Sequence, residues 1–279
     1  MVSGAVVVAQ SLFAALFPSD CRLCGTPLEN ISRLPVCRSC LVGMRPISVE
    51  TCSICGDTLG QTKNWGAPLS DFARPGDLPA MECVPCQEQK PLFAKAVAYG
   101  SYDGGLRDLV HLLKYDRVEP AAGKLGGMLC EAIAKLNLGT EPFLVVPVPL
   151  HVSKRHERGF NQAEMIARKA LRCAHFNNLE LGTGILERTR ATTSQIGLTR
   201  PQRAENMRGA FRVAHLSRVR ERDILLVDDV LTTGTTASEC ARVLLKAGAR
   251  KVLVATVART LKQHSEAVPG PVMAKAARA

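Results

Sequence analysis

The stretch 223–248, DILLVDDVLTTGTTASECARVLLKAG, leaves this chain few ways to fold. Four consecutive apolar residues, Ile224 to Val227, suit a strand buried on both faces, as in parallel sheets covered by helices. Two acids follow, Asp228 and Asp229, then a turn of Thr232, Thr233, Gly234, Thr235 and Thr236 entering a segment with helical spacing over 235–247. The first turn of a helix leaves N–H groups unpaired and carries positive dipole, so it attracts phosphate. Threonine hydroxyls add donors, and a glycine lets the backbone close on an anion. The carboxylates stand where diol hydroxyls or a divalent cation would be met. The whole stretch suits a holder for a phosphorylated sugar.

The rest of the larger part alternates in the same way. FAKAVAYGSY (93–102), FLVVPVPL (143–150), short runs near 185–188 and 210–214, and KVLVATVA (251–258) are strand-like. GGLRDLVHLLKY (104–115), 121–136 and 161–173 have helical spacing. The expected fold is α/β, a parallel sheet with helices on both faces, spanning 91–262. Ahead of it, 1–18 is apolar without a basic leader region and is expected to be a helix packed on the body and ended near Pro18; a signal peptide is the alternative. That segment is too short and broken to span a bilayer. Residues 263–279 are expected to be a disordered tail.

Residues 19–90 are of another kind: rich in Cys, Pro and Gly, with few apolar runs and a loop-like insertion at 60–80. Eight of the eleven cysteines form four C-x-x-C pairs, Cys21/Cys24, Cys37/Cys40, Cys52/Cys55 and Cys83/Cys86. Such spacing is poor for disulfides and good for zinc, because two thiolates of one tight turn reach the same ion. Sequential pairing gives two Cys₄ sites with spacers of 12 and 27 residues. Interleaved pairing, a single filled site, and free or redox-active pairs are the alternatives. A core-poor segment of this size depends on metal for its fold, and the expected compartment is the reducing cytoplasm.

Charge separates the same two parts. Residues 1–90 carry seven Lys/Arg against eight Asp/Glu, and residues 91–279 carry 29 against 17, net +12. Twelve against five fall within 145–215. Two filled Cys₄ sites would make the N-terminal part more acidic still, which disfavours a phosphate-backbone role there. The basic stretch suits a ligand with several negative charges, each met by an Arg fork, a Lys or Mg²⁺. Arg168, Lys169 and Arg172 are read as solvated surface charges. Lys114 and Tyr115 either line the site or close a helix with an ordinary C-terminal cation. His111, His151 and His156 have no metal spacing, and Cys130, Cys173 and Cys240 are expected in the core.

The run ILLVDDVLTTGTT (224–236) resembles the phosphoribosyl-pyrophosphate (PRPP) signature of type I phosphoribosyltransferases. VVPVPLHVSKRHERGFNQAEMIA (145–167), RTRATTSQIGLTRPQRAENMRGAF (188–211), LVHLLKYDR (109–117) and the Cys pairs are similar to the competence protein ComF family, a likeness covering roughly 12–260. The resemblance implies a type I phosphoribosyltransferase core behind a double zinc ribbon. Asp228 and Asp229 would contact the ribose 2′- and 3′-hydroxyls and serve catalysis, and Thr232, Thr233, Gly234, Thr235 and Thr236 would bind the 5′-phosphate. A loop at 149–160 would hold pyrophosphate through Lys154, Arg155 and Arg158. A mobile loop over 188–208 would close on the site with Arg200, Arg203 and Arg208.

The implied reaction displaces pyrophosphate from ribose C1 with Mg²⁺ present, toward an acceptor the sequence does not identify. Thr232 stands where 6-oxopurine enzymes of this class commonly carry an acid, which disfavours that activity. An N-terminal Cys nucleophile and a glutaminase domain are lacking, so a complete glutamine amidotransferase is not expected. The other class of function is a PRPP sensor without catalysis, or a factor handling single-stranded DNA or competence-machinery proteins; low aromatic content argues against a base-stacking platform.

Overall fold

The computed structural model describes residues 19–28, 32–59, 81–173, 176–190 and 200–261, apart from the side chains of Cys173, Arg200, Pro201 and Ala204. The expected N-terminal helix, the 60–80 insertion, the tail and residues 191–199 of the expected mobile loop lie outside the described residues.

Five parallel strands form the main sheet: β1 (Lys95–Ser101), β2 (Phe143–Pro147), β3 (Leu179–Leu181), β6 (Asp223–Leu231) and β7 (Lys251–Arg259), in the order β1-β7-β6-β2-β3. The apolar runs in β2 and β6 make these central strands, because Phe143 and Val145 face one side and Leu144 and Val146 the other, all buried. Two short helices, α1 (Arg38–Gly43) and α2 (Val84–Glu88), belong to the Cys-rich part, and on the first face of the sheet lie α3 (Gly104–Lys114), α4 (Ala121–Ala134) and α6 (Gln162–Cys173). On the second lie α8 (Thr235–Lys246) and an antiparallel pair, β4 (Leu186–Arg188) with β5 (Phe211–Val213). The α7 helix (Arg200–Met207) packs against α8.

Three local expectations are corrected. β6 does not stop before the acids but continues through Asp228 and Asp229 to Leu231, because β7 keeps pairing with it to Arg259. The stretch expected as a loop at 149–160 contains a helix, α5 (Val152–Arg158), capped by the His151 side chain accepting from the Ser153 N–H. Cys130 is half-buried at the rim of the core, whereas Cys240 is fully buried as expected. Among the described residues no helix is long and apolar enough to cross a membrane.

The Cys-rich module covers the outer edge of β1, an edge that would otherwise offer unpaired backbone groups. The N–H of Ala96 donates to the Ile54 carbonyl at 2.7 Å, and the N–H of Ile47 to the Tyr99 carbonyl at 2.7 Å. Gly56 (φ +70°) makes this approach feasible, since a Cβ there would stand 2.8 Å from the Ala96 carbonyl oxygen. The module straddles the sheet. Leu34, Val36 and Met44 join the first-face core, whereas Ile54 and Cys55 pack against the second.

Candidate functional site

The crevice arises from unequal strand lengths. Pairing between β2 and β6 ends at Pro147 and Val227, with Val148 N–H donating to the Val227 carbonyl at 2.8 Å. From Asp228 onward β6 is paired only to β7, so its other side lies open at the carboxyl end of the sheet, where α/β folds bind ligands. Alternation along the strand turns the two acids to opposite faces. Asp229, in step with Leu225 and Val227, accepts a hydrogen bond from Lys114 Nζ at 2.7 Å. Burial works against the Lys114 charge, yet Asp229 and then Asp228 hold its pKa above the ordinary lysine value. Lys114 thus pairs with a carboxylate of β6 and does not stand as a solvated cation closing its helix.

Asp228 is pushed up to about 7, first by burial and then by the neighbouring Asp229 charge, with Lys114, the Asp229 N–H and Arg188 opposing. Proton affinity that high marks a carboxylate short of positive partners, and a cation or hydroxyl donors would relieve it. Arg188, at the end of β4, is brought over by a bridge between His151 and Arg188, and its guanidinium stacks 5.6 Å from the Phe211 ring centre. Sequence reasoning placed Arg188 only within an Arg-rich segment; its role depends on that bridge.

After Leu231 the chain turns through exposed Thr232 and Thr233 into Gly234, the N-cap of α8. At φ +76° Gly234 adopts a left-handed conformation that other residues enter only with strain, and it brings no side chain to cap the helix. No acid occupies the first turn of this 12-residue helix. Thr233 and Thr235 hydroxyls lie 2.8 Å apart at its mouth, so the positive end of α8 and these hydroxyls share one exposed turn.

The sequence-predicted cations fall into three groups. Arg158 donates to Gln162 Oε1 at 3.0 Å and stacks 5.4 Å from the Tyr115 ring centre, beside Lys114. Arg155 lines a separate cleft with His151, Asn161 and Arg188, while Lys154 points to solvent in an ion pair with Glu157 at 2.7 Å. Arg203, on α7, lines a cavity with Thr232, Thr233 and Gly234, and exposed Arg208 lines the neighbouring cleft with Thr233–Thr235. Arg200 carries no described side chain. Next to Lys114, Tyr102 hydrogen-bonds His111 Nε2 at 3.0 Å, and burial followed by Arg107 and Lys114 lowers the His111 pKa.

The cysteines assemble sequentially. Cys21, Cys24, Cys37 and Cys40 form one cluster, Cys52, Cys55, Cys83 and Cys86 the other, all Sγ atoms of each within 4.8 Å of one another. Sulfur pairs at 3.9 Å (Cys21–Cys40), 3.7 Å (Cys24–Cys37) and 3.6 Å (Cys55–Cys83) match the tetrahedron edge of roughly 3.8 Å set by Zn–S bonds of about 2.3 Å. Backbone N–H groups turn toward the sulfurs: Cys37 N–H to Cys21 Sγ and Cys83 N–H to Cys52 Sγ, each 3.3 Å. Against burial, such donors bring Cys21 down to about 6 and Cys52 to about 7, while burial pushes Cys55 up to about 11. These thiols share too little positive charge, and a bound Zn²⁺ supplies it. Both clusters can hold zinc.

The phosphoribosyl transferase domain matches residues 158–272. The chain is 31% identical to the DNA utilization protein YhgH of Salmonella typhimurium (strain LT2) over 88% of its own length and 98% of the relative. It is 29% identical to Competence protein F of Haemophilus influenzae over 64% of this chain and 79% of that one. A solved hypoxanthine phosphoribosyltransferase from Staphylococcus aureus overlaps half of this chain and 64% of its own, at 15% identity and a TM-score of 0.29, too loosely to inform the site.

Proposed function

The chain belongs to the ComF family of proteins with a phosphoribosyltransferase domain, and from that premise we propose that it binds PRPP and transfers its phosphoribosyl group to an acceptor nucleophile. One observation carries the reading: a strand bearing two carboxylates leads into an uncapped, glycine-opened helix N-terminus lined by threonine hydroxyls. The 5′-phosphate sits on the turn Thr232–Thr236, receiving N–H and hydroxyl donors. Asp228 and Asp229 accept from the ribose hydroxyls, and Lys114 fixes the orientation of Asp229.

Pyrophosphate is met across the crevice by Arg158, whose guanidinium is already oriented by Gln162 and Tyr115. Lys154 and Arg155 add positive charge at the rim, and Arg203 and Arg208, on and just after α7, approach from the other side. Asp228 provides oxygen ligands with unmet negative charge for Mg²⁺, which when bound supplies further charge to the leaving group. Displacement at C1 then inverts that carbon through an oxocarbenium-like state, the acceptor's lone pair forming the new bond as the C1–O bond to pyrophosphate breaks. Zn²⁺ at the two Cys₄ clusters is structural, and a reducing cytoplasm suits eight thiolates.

Titration calorimetry with PRPP and Mg²⁺ tests the reading. Wild-type protein is expected to bind and Asp228→Asn/Asp229→Asn to lose binding; equal heats from both proteins would overturn it.

A second reading, a PRPP-sensing or single-stranded-DNA-handling competence factor without catalysis, draws on the relatives' names and on the net charge of +12 over residues 91–279. It predicts affinity for single-stranded DNA that falls steeply between 50 and 200 mM salt, by about 300-fold or more if six or more phosphates are contacted. It also predicts PRPP binding with no pyrophosphate release across a panel of bases and amines. Fluorescence anisotropy without salt dependence removes the DNA arm.

A further inference from the structure

We propose that Arg259 is a positioning residue joining the second tetracysteine centre to the phosphate turn, so that metal at Cys52/Cys55/Cys83/Cys86 and phosphate at Thr232–Gly234 bind cooperatively. This rests on the PRPP reading above and adds a link between two sites that are far apart in sequence.

Arg259 is the last residue of β7 and stands in register with Leu231, the residue immediately before the turn. The N–H of Thr260 donates to the Leu231 carbonyl at 3.0 Å, fastening the two strand ends. The Arg259 side chain, only 5% exposed, runs the other way into the Cys-rich module. One terminal nitrogen donates to the Cys55 carbonyl at 2.6 Å, and the other meets Asp57 Oδ2 at 3.2 Å and Cys55 Sγ at 3.6 Å. A single guanidinium therefore holds the backbone, the sulfur and the near neighbour of one metal ligand.

Between the two sites lies a cavity of about 290 Å³, lined on one side by Cys55, Cys83 and Cys86 and on the other by Thr232, Thr233 and Gly234, with Arg259 forming part of its wall. Arg259 Nε is buried and has no hydrogen-bond partner among the described residues. A staple serving stability alone would be complete with Asp57. It leaves unexplained a buried donor in the residue that walls the cavity beside the phosphate turn. Buried guanidinium cannot shed its charge, so its anchors matter. With metal bound, Cys55 and Asp57 are fixed and hold the end of β7, hence Leu231 and the turn. Without metal the knuckle Cys52–Asp57 loses its restraint, and the turn loses part of its frame. Phosphate seated on the turn must by linkage favour the metal-bound knuckle by the same factor.

The test uses full-length, zinc-loaded protein and follows zinc release into a chromophoric chelator with and without saturating PRPP and Mg²⁺, beside calorimetric titration of PRPP. PRPP is expected to slow release of one zinc equivalent by about 5- to 150-fold, the usual range of such coupling, and to leave the other unchanged. Cys24→Ser, which removes a ligand of the first cluster, should delete the insensitive phase. Arg259→Gln should keep two zinc equivalents per chain, abolish the slowing and weaken PRPP binding; Arg259→Lys should restore part of both. Wild-type protein that binds PRPP while both zinc ions leave at PRPP-independent rates overturns the coupling and leaves the PRPP reading standing. Wild-type protein that binds no PRPP overturns both.

Discussion

The two tetracysteine clusters follow one plan and live in different surroundings. In each, a knuckle supplies the first C-x-x-C and a short helix the second: Arg38–Gly43, capped by the Cys37 side chain, and Val84–Glu88, with Cys83 at its N-terminal boundary. The first cluster is open, with Cys24 fully exposed, and its neighbours Leu23 and Met44 pack on the start of α3 near Gly105. The second is wedged against the ends of β1 and β7, and Arg259 ties it to the strand that leads into the phosphate turn. Identical ligand sets thus have unequal consequences. What a metal centre does for the site is decided by what its ligands' backbone touches.

The largest effect should separate the clusters directly. Cys55→Ser is expected to weaken PRPP binding by about 100-fold, the upper end of allosteric coupling. Cys24→Ser should leave it within about threefold in the folded fraction. Equal losses in calorimetry would erase the distinction.

A control on the first-cluster face sharpens it. Lys114→Met leaves Asp229 buried without its cation, and breaking such a pair costs about 3–5 kcal/mol of folding stability. Denaturant melts should show that loss, with Lys114→Met/Asp229→Leu recovering much of it. Zinc release from either cluster should not change beyond the general loss of stability.

Asp228 gives a smaller effect, visible in pH. Its folded pKa, about 7, lies above the ordinary carboxylate value, so the folded state binds more protons than the unfolded one between those limits. Stability from this group is full at acid pH and falls as pH rises through 7. Asp228→Asn should therefore gain stability relative to wild type from pH 4 to 7, measured by urea melts. PRPP and Mg²⁺ binding, which need the ionised form, should release protons near pH 6.5; a proton-neutral titration contradicts this. The smallest effect belongs to Lys154→Gln. Its ion pair with Glu157 is solvent-exposed and screened, and PRPP affinity should change by under about threefold.

Much of this was legible in the sequence, for physical reasons that vary by element. β2, β6 and β7 carry continuous apolar runs because both faces are covered, and α8 announces itself by a Thr/Gly turn before helical spacing. β3 is three half-exposed residues, LEL, too short to alternate, and α5 is VSKRHER, without an apolar face. Cysteine spacing made sequential pairing the simplest choice, but only folded geometry separates it from interleaving. Lys114 remained ambiguous because nothing in α3 states that its end faces β6. Arg259 carried no local sign of its role, since its partner Cys55 lies 204 residues away.

The phosphate turn itself is the claim on which the rest depends, and a crystal structure with PRPP and Mg²⁺ bound tests it most directly. The 5′-phosphate is expected within hydrogen-bond distance of the Thr232–Thr236 N–H groups and hydroxyls, with the ribose against Asp228 and Asp229. Well-defined PRPP bound elsewhere, with that turn occupied by protein or solvent alone, would contradict the account.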